Sequence, residues 1–192
     1  LNPIYSNLLY LSSKELYKNR EQYHTNKISE IKSNLYIYSP KSLLQYGNYP
    51  IFKSAIFNKL SIKFTYPNIK KVLEENDFLD VDILWLSFTK YYYLKDIVKY
   101  KKMVHRCSDD ISGFNRVCHS MLYFEEKIFK EADTVFVTSK DLLEKKSAIR
   151  NDLVYLPNGV EIKNFQREKY IIPHEYKGNK NKKCIFVGAM HD

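Results

Sequence analysis

Only five glycines are spread over 192 residues, and no G-x-G-x-x-G occurs among them. A Rossmann-type oxidoreductase needs that fingerprint after its first strand, so its lack argues against such an enzyme. Cysteine is as sparse: Cys107, Cys118 and Cys184 are odd in number, far apart and include no C-x-x-C pair. They read as reduced cytosolic thiols or small core residues, not as a disulfide framework. No apolar run approaches the roughly 20 residues needed to span a bilayer, and no stretch is laid out like a secretion signal. Internal repeats and low-complexity linkers are also missing.

What the chain does have is aromatic residues and positive charge. Seventeen Tyr, eleven Phe and one Trp describe a densely aromatic globular chain, not a disordered one. Its length is enough for one good-sized domain whose core needs no disulfides. Lys and Arg number 31 against 22 Asp and Glu, a formal charge of +9. Such a molecule is drawn to anionic surfaces, whether membrane, nucleotide or nucleic acid, although a Lys-rich solvated surface explains the excess equally well. The chain opens on Leu1-Asn2-Pro3, like the tail of a strand, and starts a new strand at Lys183 to Gly188 with only Ala189 to Asp192 behind it. The expectation is a fragment of a longer protein.

Periodicity supplies the elements. Asn2-Pro3 ends an opening strand, and Leu8, Leu9, Leu11 and Leu16 outline a helix. Leu35 to Tyr38 is the next strand, stopped at Ser39-Pro40 because proline has no N–H for a ladder. Helical spacing recurs over Ile51 to Thr65 and over Ile69 to Glu75. Ile83 to Phe88 is a continuous apolar run of the kind a central parallel strand requires. Lys102 to Cys107, Asp133 to Thr138 and Leu153 to Leu156 are further strands, with a helix carrying Glu125 between the first two. Strands alternating with helices predict a doubly wound, Rossmann-like, mainly parallel α/β sheet. The expected division is a first domain over 1–165, a connector over 166–182 and the start of a second domain over 183–192.

In such a sheet the ligand crevice lies beyond the carboxyl ends of the strands. The loops there offer Asn2-Pro3, Ser39 to Tyr49, Ser87 to Tyr93, Ser108 to Arg116, Ser139 and Asn158-Gly159, a polar and aromatic mouth suited to a sugar. Two adjacent carboxylates, Asp109 and Asp110, follow a short strand, with Arg106 and Arg116 as candidate partners. A carboxylate there is placed to deprotonate an acceptor hydroxyl as it attacks an anomeric carbon. The competing reading is that Asp109 or Asp110 caps the helix that follows. Tyr91-Tyr92-Tyr93 reads either as a stacking or lipid-interface surface or as packing. His105, Cys107, Cys118 and His119 lack zinc-ligand spacing and read as packing or surface residues.

One stretch is more specific than any single motif. Glu125, then Ala132-Asp133, Thr138-Ser139, Pro157-Asn158-Gly159-Val160-Glu161 and Phe165 follow the form E-x7-D-x-V-x-x-T-S and P-N-G-V-(D/E)-x-x-x-F. This order resembles the seam between the two domains of GT-B glycosyltransferases. Ser39-Pro40 with Tyr46-Gly47, Asp82 to Ser87, Cys107-Ser108-Asp109-Asp110 and Val187-Gly188-Ala189 extend the likeness over nearly the whole chain. Within GT-B enzymes it is most similar to the first domain of the polysaccharide-assembly branch that includes teichuronic acid glycosyltransferases of the family-4 type and the xanthan glucuronosyltransferase.

The resemblance implies a domain that binds a saccharide acceptor, lipid-linked and met at the inner face of the cytoplasmic membrane, with a second domain for a UDP-linked nucleotide sugar. It implies Asp109 as the catalytic carboxylate; the branches it draws on differ between retention and inversion, and inversion with Asp109 as base is the expectation. Asn2, Tyr46, Asp110, Arg116, Ser139, Asn158 and Gly159 are then the substrate-binding residues, and Gly188 and Ala189 the donor-phosphate loop. It implies no metal and no other cofactor, no nucleic-acid partner, a cytoplasmic and peripheral location, and no transfer by the fragment alone. His105-Arg106 departs from the Tyr-Asp pair of the teichuronic relatives. The alternative is a non-catalytic basic α/β module that binds nucleic acid or an anionic surface.

Overall fold

The computed structural model describes residues 2–3, 28–42, 44, 54–114, 117, 119–164, 166, 174–178 and 181–182. The chain divides into two compact units, Leu1–Leu156 and Pro157–Asp192. Among the described residues, every strand lies in the first unit: β1 Asn2–Pro3, β2 Ser29–Lys32, β3 Leu35–Ile37, β4 Lys41–Ser42, β5 Thr65–Tyr66, β6 Asp80–Leu86, β7 Lys99–Cys107, β8 Thr134–Val137 and β9 Val154–Tyr155. Its described helices are α1 Ala55–Lys63, α2 Ile69–Glu75, α3 His119–Glu131 and α4 Lys140–Lys146, with 3-10 turns at Thr89–Asp96 and Ile111–Gly113. The described part of the second unit carries two short 3-10 turns, Ile162–Asn164 and His174–Tyr176.

Strands β6, β7, β8 and β9 form one parallel sheet in that order, flanked by helices, an arrangement compatible with a Rossmann-like α/β fold. The longest ladder runs Asp80↔Lys99 to Leu86↔His105, so β6 and β7 end side by side. Among the described residues, β1 pairs parallel with β4 and β4 antiparallel with β5 in a separate small sheet. Leu35 to Tyr38 was expected as a strand of the main sheet. Instead β3 folds back on β2 as an antiparallel hairpin, turned at Asn34, whose φ of 62° is one that Asn tolerates better than most residues.

Helices α1, α2 and α4 begin where a short polar side chain takes a free backbone N–H. Ser54 accepts from Phe57 N at α1, Asn68 from Lys71 N at α2 and Ser139 from Leu142 N at α4. In α3, Phe124 and Ile128, and Glu125 and Phe129, stand four residues apart and make one buried face. That face meets Leu84 and Leu86 of β6, Met103 and Cys107 of β7, Val135 and Val137 of β8, and Leu142 of α4. Tyr92 joins this core, its ring stacked on Phe124 with the centroids 5.3 Å apart. Tyr92 of the tyrosine triplet therefore packs.

The other face of the sheet is less covered. Ile83 and Trp85 of β6 remain 57% and 48% exposed, and Trp85 stacks on Phe136 of β8 at 5.7 Å. The apolar run here predicts a central strand, whereas β6 stands at one end of the described order. Alternation along a strand decides which residues share a face, but neighbouring elements decide whether that face is buried.

Phe124→Ala removes a wholly buried ring from the point where α3 meets Tyr92 and Tyr93. Urea denaturation should show a loss of about 3–5 kcal/mol; a loss below about 1 kcal/mol contradicts this packing.

Candidate functional site

At the carboxyl ends of β6 and β7 lies a cavity of about 340 Å³. Thr89, His105, Cys107 and Glu125 form its inner lining, and the exposed Phe88 and Asp109 also border it. The elements place these groups simply. β6 runs into Ser87 and Phe88, β7 carries His105 and Cys107 on the face that also buries Met103, and α3 turns Glu125 inward.

The two adjacent carboxylates are separated in role. Asp110 caps the Ile111–Gly113 turn, accepting from Ser112 N at 3.3 Å and from Ser112 Oγ at 2.6 Å. It also faces Lys145 Nζ at 3.1 Å and Lys146 Nζ at 3.6 Å. The Ser112 hydroxyl, with Lys145 and Lys146 behind it, holds the Asp110 carboxyl down to about 2 against the opposing effect of burial. Asp109 points elsewhere. Its carboxylate takes no hydrogen bond or ion pair from any described side chain, and it stands exposed at the cavity.

Beneath this turn is a buried charge pair. Lys146 Nζ of α4 donates to Glu125 Oε2 of α3 at 2.6 Å, both side chains being almost wholly buried. Burial disfavours the ammonium, but the bond to Glu125 and the nearby Asp110 outweigh it and keep Lys146 above its ordinary range. Cys107 lies 3.9 Å from Glu125 Oε1, and burial followed by the Glu125 charge pushes its thiol up to about 12. Cys107 is therefore a thiol near neutral pH and is not an activated nucleophile.

The residues of the E-x7-D-x-V-x-x-T-S pattern have visible structural tasks. Asp133 Oδ2 accepts from Met103 N at 2.8 Å, and Asp133 N donates to Met103 O at 2.8 Å, locking the start of β8 to β7. Thr138 Oγ1 donates to Ser108 O at 2.9 Å, tying the end of β8 to the turn after β7. Ser139 spends its hydroxyl on the cap of α4. The pattern positions the Ser108–Asp110 turn.

Of the residues assigned to the site from sequence, the structure brings Asp109 to the cavity, with Asp110 next to it in the chain, while Ser139 follows Thr138, which is bonded to Ser108. Asn158 and Gly159 are exposed and belong to the second unit. Asn2 lies in β1. Tyr46, Arg116, Gly188 and Ala189 lie outside the described residues, as do Cys118 and Phe165. The reading from sequence missed Thr89, and it took His105 for a packing or surface residue. The available signal was alternation: Met103, His105 and Cys107 share a strand face, and a polar residue in such a row is buried.

His105 is 2% exposed. Its Nδ1 lies 2.7 Å from Leu86 O, and its ring meets Phe129 edge-on at 5.4 Å. Burial, with Lys146 adding to it and the Leu86 carbonyl opposing, pushes the imidazole down to about 4. A carbonyl only accepts, so the neutral ring carries its proton on Nδ1.

Among the described residues no three His, Cys, Asp or Glu side chains are grouped as a metal site would require. No described helix is long and apolar enough to cross a membrane. In comparisons with known proteins, no family model and no curated protein matches the chain.

Two measurements check this arrangement. Lys146→Met leaves Glu125 buried without its partner and should cost about 3–5 kcal/mol in urea denaturation, most of it recovered when Glu125→Leu is added. Equal losses in the single and double variants contradict the pairing. The second concerns acid. Because the folded His105 titrates near 4 and the ordinary value is 6.5, the unfolded chain takes up this proton first. Its contribution is full above pH 6.5 and is lost as pH falls to about 4, whereas that of Asp110 is lost from 3.8 down to about 2. His105→Gln should flatten the upper window of a stability-against-pH curve and Asp110→Asn the lower one; windows that do not separate this way contradict the assignments.

Proposed function

We propose that the chain is the acceptor-binding part of a GT-B glycosyltransferase of the polysaccharide-assembly type, with a doubly wound first domain. The observation that supports this reading best is Asp109, a carboxylate free of described partners at the mouth of a cavity beyond the ends of two parallel strands. Ligand sites in open α/β sheets lie at this edge. A saccharide has apolar faces and a rim of hydroxyls, and the cavity offers Phe88 and Phe114 beside Ser87, Thr89 and Ser108. Concave sites of this size with a few convergent polar groups suit a small ligand.

In the proposed reaction Asp109 accepts the proton of an acceptor hydroxyl as that oxygen bonds to the anomeric carbon of a nucleotide sugar. The bond from that carbon to the diphosphate oxygen breaks, and its electron pair leaves with the nucleotide. A single displacement of this kind inverts the anomeric centre. The buried Glu125–Lys146 pair and the cap at Asp110 hold the turn that presents Asp109. Gly188 and Ala189 are assigned to the donor phosphates, with a UDP-linked sugar as donor. A lipid-linked acceptor at the inner membrane face accords with the net charge of +9.

The rival reading, a basic module for nucleic acid, needs lysines gathered into one free surface. Here Lys99, Lys101 and Lys102 of β7 each face an aspartate, Asp80, Asp82 and Asp133. This favours the transferase.

The test is nucleotide release by the full-length protein from a panel of nucleotide sugars with membrane lipid extract from its source. Asp109→Asn should lower turnover about 10²–10⁴-fold, as loss of a general base does. No release from any donor, together with salt-dependent binding of oligonucleotides, would replace the transferase with the binding module.

A further inference from the structure

The inner end of the cavity holds two polar groups that the fold leaves unused. His105 Nε2 and Thr89 Oγ1 are both buried, and neither has a hydrogen-bond partner among the described residues. His105 and Thr89 line the same cavity. An unmade bond at a buried polar atom is costly, so its persistence in a cavity points to a ligand that completes it.

The chemistry of that ligand follows from the two atoms. Nδ1 of His105 is committed to the Leu86 carbonyl at 2.7 Å, which leaves Nε2 with a lone pair and no hydrogen. Nε2 therefore calls for a donor. Thr89 Oγ1 can both donate and accept, and so satisfies the other side of the same kind of group. A carboxylate or phosphate oxygen offers Nε2 only lone pairs and is repelled. A hydroxyl offers a hydrogen to one and a lone pair to the other.

We propose that the inner end of the cavity is a hydroxyl subsite, in which His105 Nε2 accepts a hydrogen bond from one hydroxyl of a neutral saccharide and Thr89 Oγ1 binds the same ring. His105 is then a specificity-determining residue, and selects an uncharged sugar hydroxyl over an acidic substituent at that position. The inference rests on the proposed transferase reading, since it takes the cavity as the acceptor site. It assigns a role to the histidine that stands where the family resemblance expects tyrosine.

The experiment is long-range proton–nitrogen NMR of the full-length protein labelled with nitrogen-15 in histidine. The probes are the methyl glycosides of glucose, galactose, mannose and N-acetylglucosamine, with inorganic sulfate, which carries no hydrogen near neutral pH, as the anionic control. At least one glycoside should move the His105 Nε2 signal in the direction of hydrogen-bond acceptance, and sulfate should not. His105→Phe keeps a ring against Phe129 but removes the acceptor, and should weaken the active glycoside about three- to tenfold. His105→Gln restores a polar atom near Nε2 and should recover part of that loss. The wild-type spectrum decides the matter even if His105→Phe fails to fold.

Glycoside binding that leaves the Nε2 signal unmoved overturns the role of His105, and means that water fills the subsite, while saccharide binding by the protein stands. A signal moved by sulfate and by no glycoside also overturns it. No binding of any glycoside overturns the subsite, and nucleotide release dependent on Asp109 then tells whether the transferase reading survives without it.

Discussion

The ion pair between Glu125 and Lys146 is the constraint on which the site depends. Two buried charges repay their desolvation only when geometry and extra bonds are good. Here the ammonium lies 2.6 Å from Glu125 and 3.6 Å from Asp110, so one lysine on α4 binds both α3 and the turn after β7. Helix α3 is also held by its apolar face, whereas the turn is tied by directional bonds. Its place is set by polar contacts: Lys145 and Lys146 to Asp110, and Thr138 to Ser108. An arrangement of that kind is directional, and it divides two neighbouring carboxylates into a cap and a group open to the cavity.

The same division explains the chemistry of the lining. The wall next to the core carries a thiol pushed up by burial and an imidazole pushed down by it, so both are neutral near pH 7. Asp109 at the exposed mouth keeps access to solvent and ligand. In the proposed reading, an inner end whose charges are paired and a carboxylate at the mouth suit a polyhydroxylated substrate whose reacting hydroxyl meets the carboxylate. Nucleophilic cysteine chemistry does not fit it, because Cys107 has no thiolate to offer.

Much of the main sheet was legible from the chain alone. The strands expected at Ile83–Phe88, Lys102–Cys107 and Asp133–Thr138 overlap β6, β7 and β8, and the interposed helix carrying Glu125 is α3. The β2–β3 hairpin was not, because the apolar stretch at Leu35–Ile37 is compatible with any sheet. Which sheet it joins depends on the turn at Asn34 and on pairing partners elsewhere. His105 was legible only as a core position. Its lone pair in the cavity depends on the Leu86 carbonyl one strand away, and strand register is a tertiary fact. Asp109 and Asp110 were told apart in sequence only by the resemblance, and the contacts of Lys145 and Lys146 from α4 are what tie Asp110 down as a cap.

By itself, then, the sequence determined the alternation of strand and helix, which residues share a face and the chemical inventory near the strand ends, because these follow from side-chain periodicity and local capping. Tertiary structure decided the pairing of Glu125 with Lys146, the separation of Asp109 from Asp110 and the opening of His105 onto the cavity. These contacts join residues far apart in the chain, and only the packing of α3 and α4 on the sheet brings their charges and lone pairs within hydrogen-bond range.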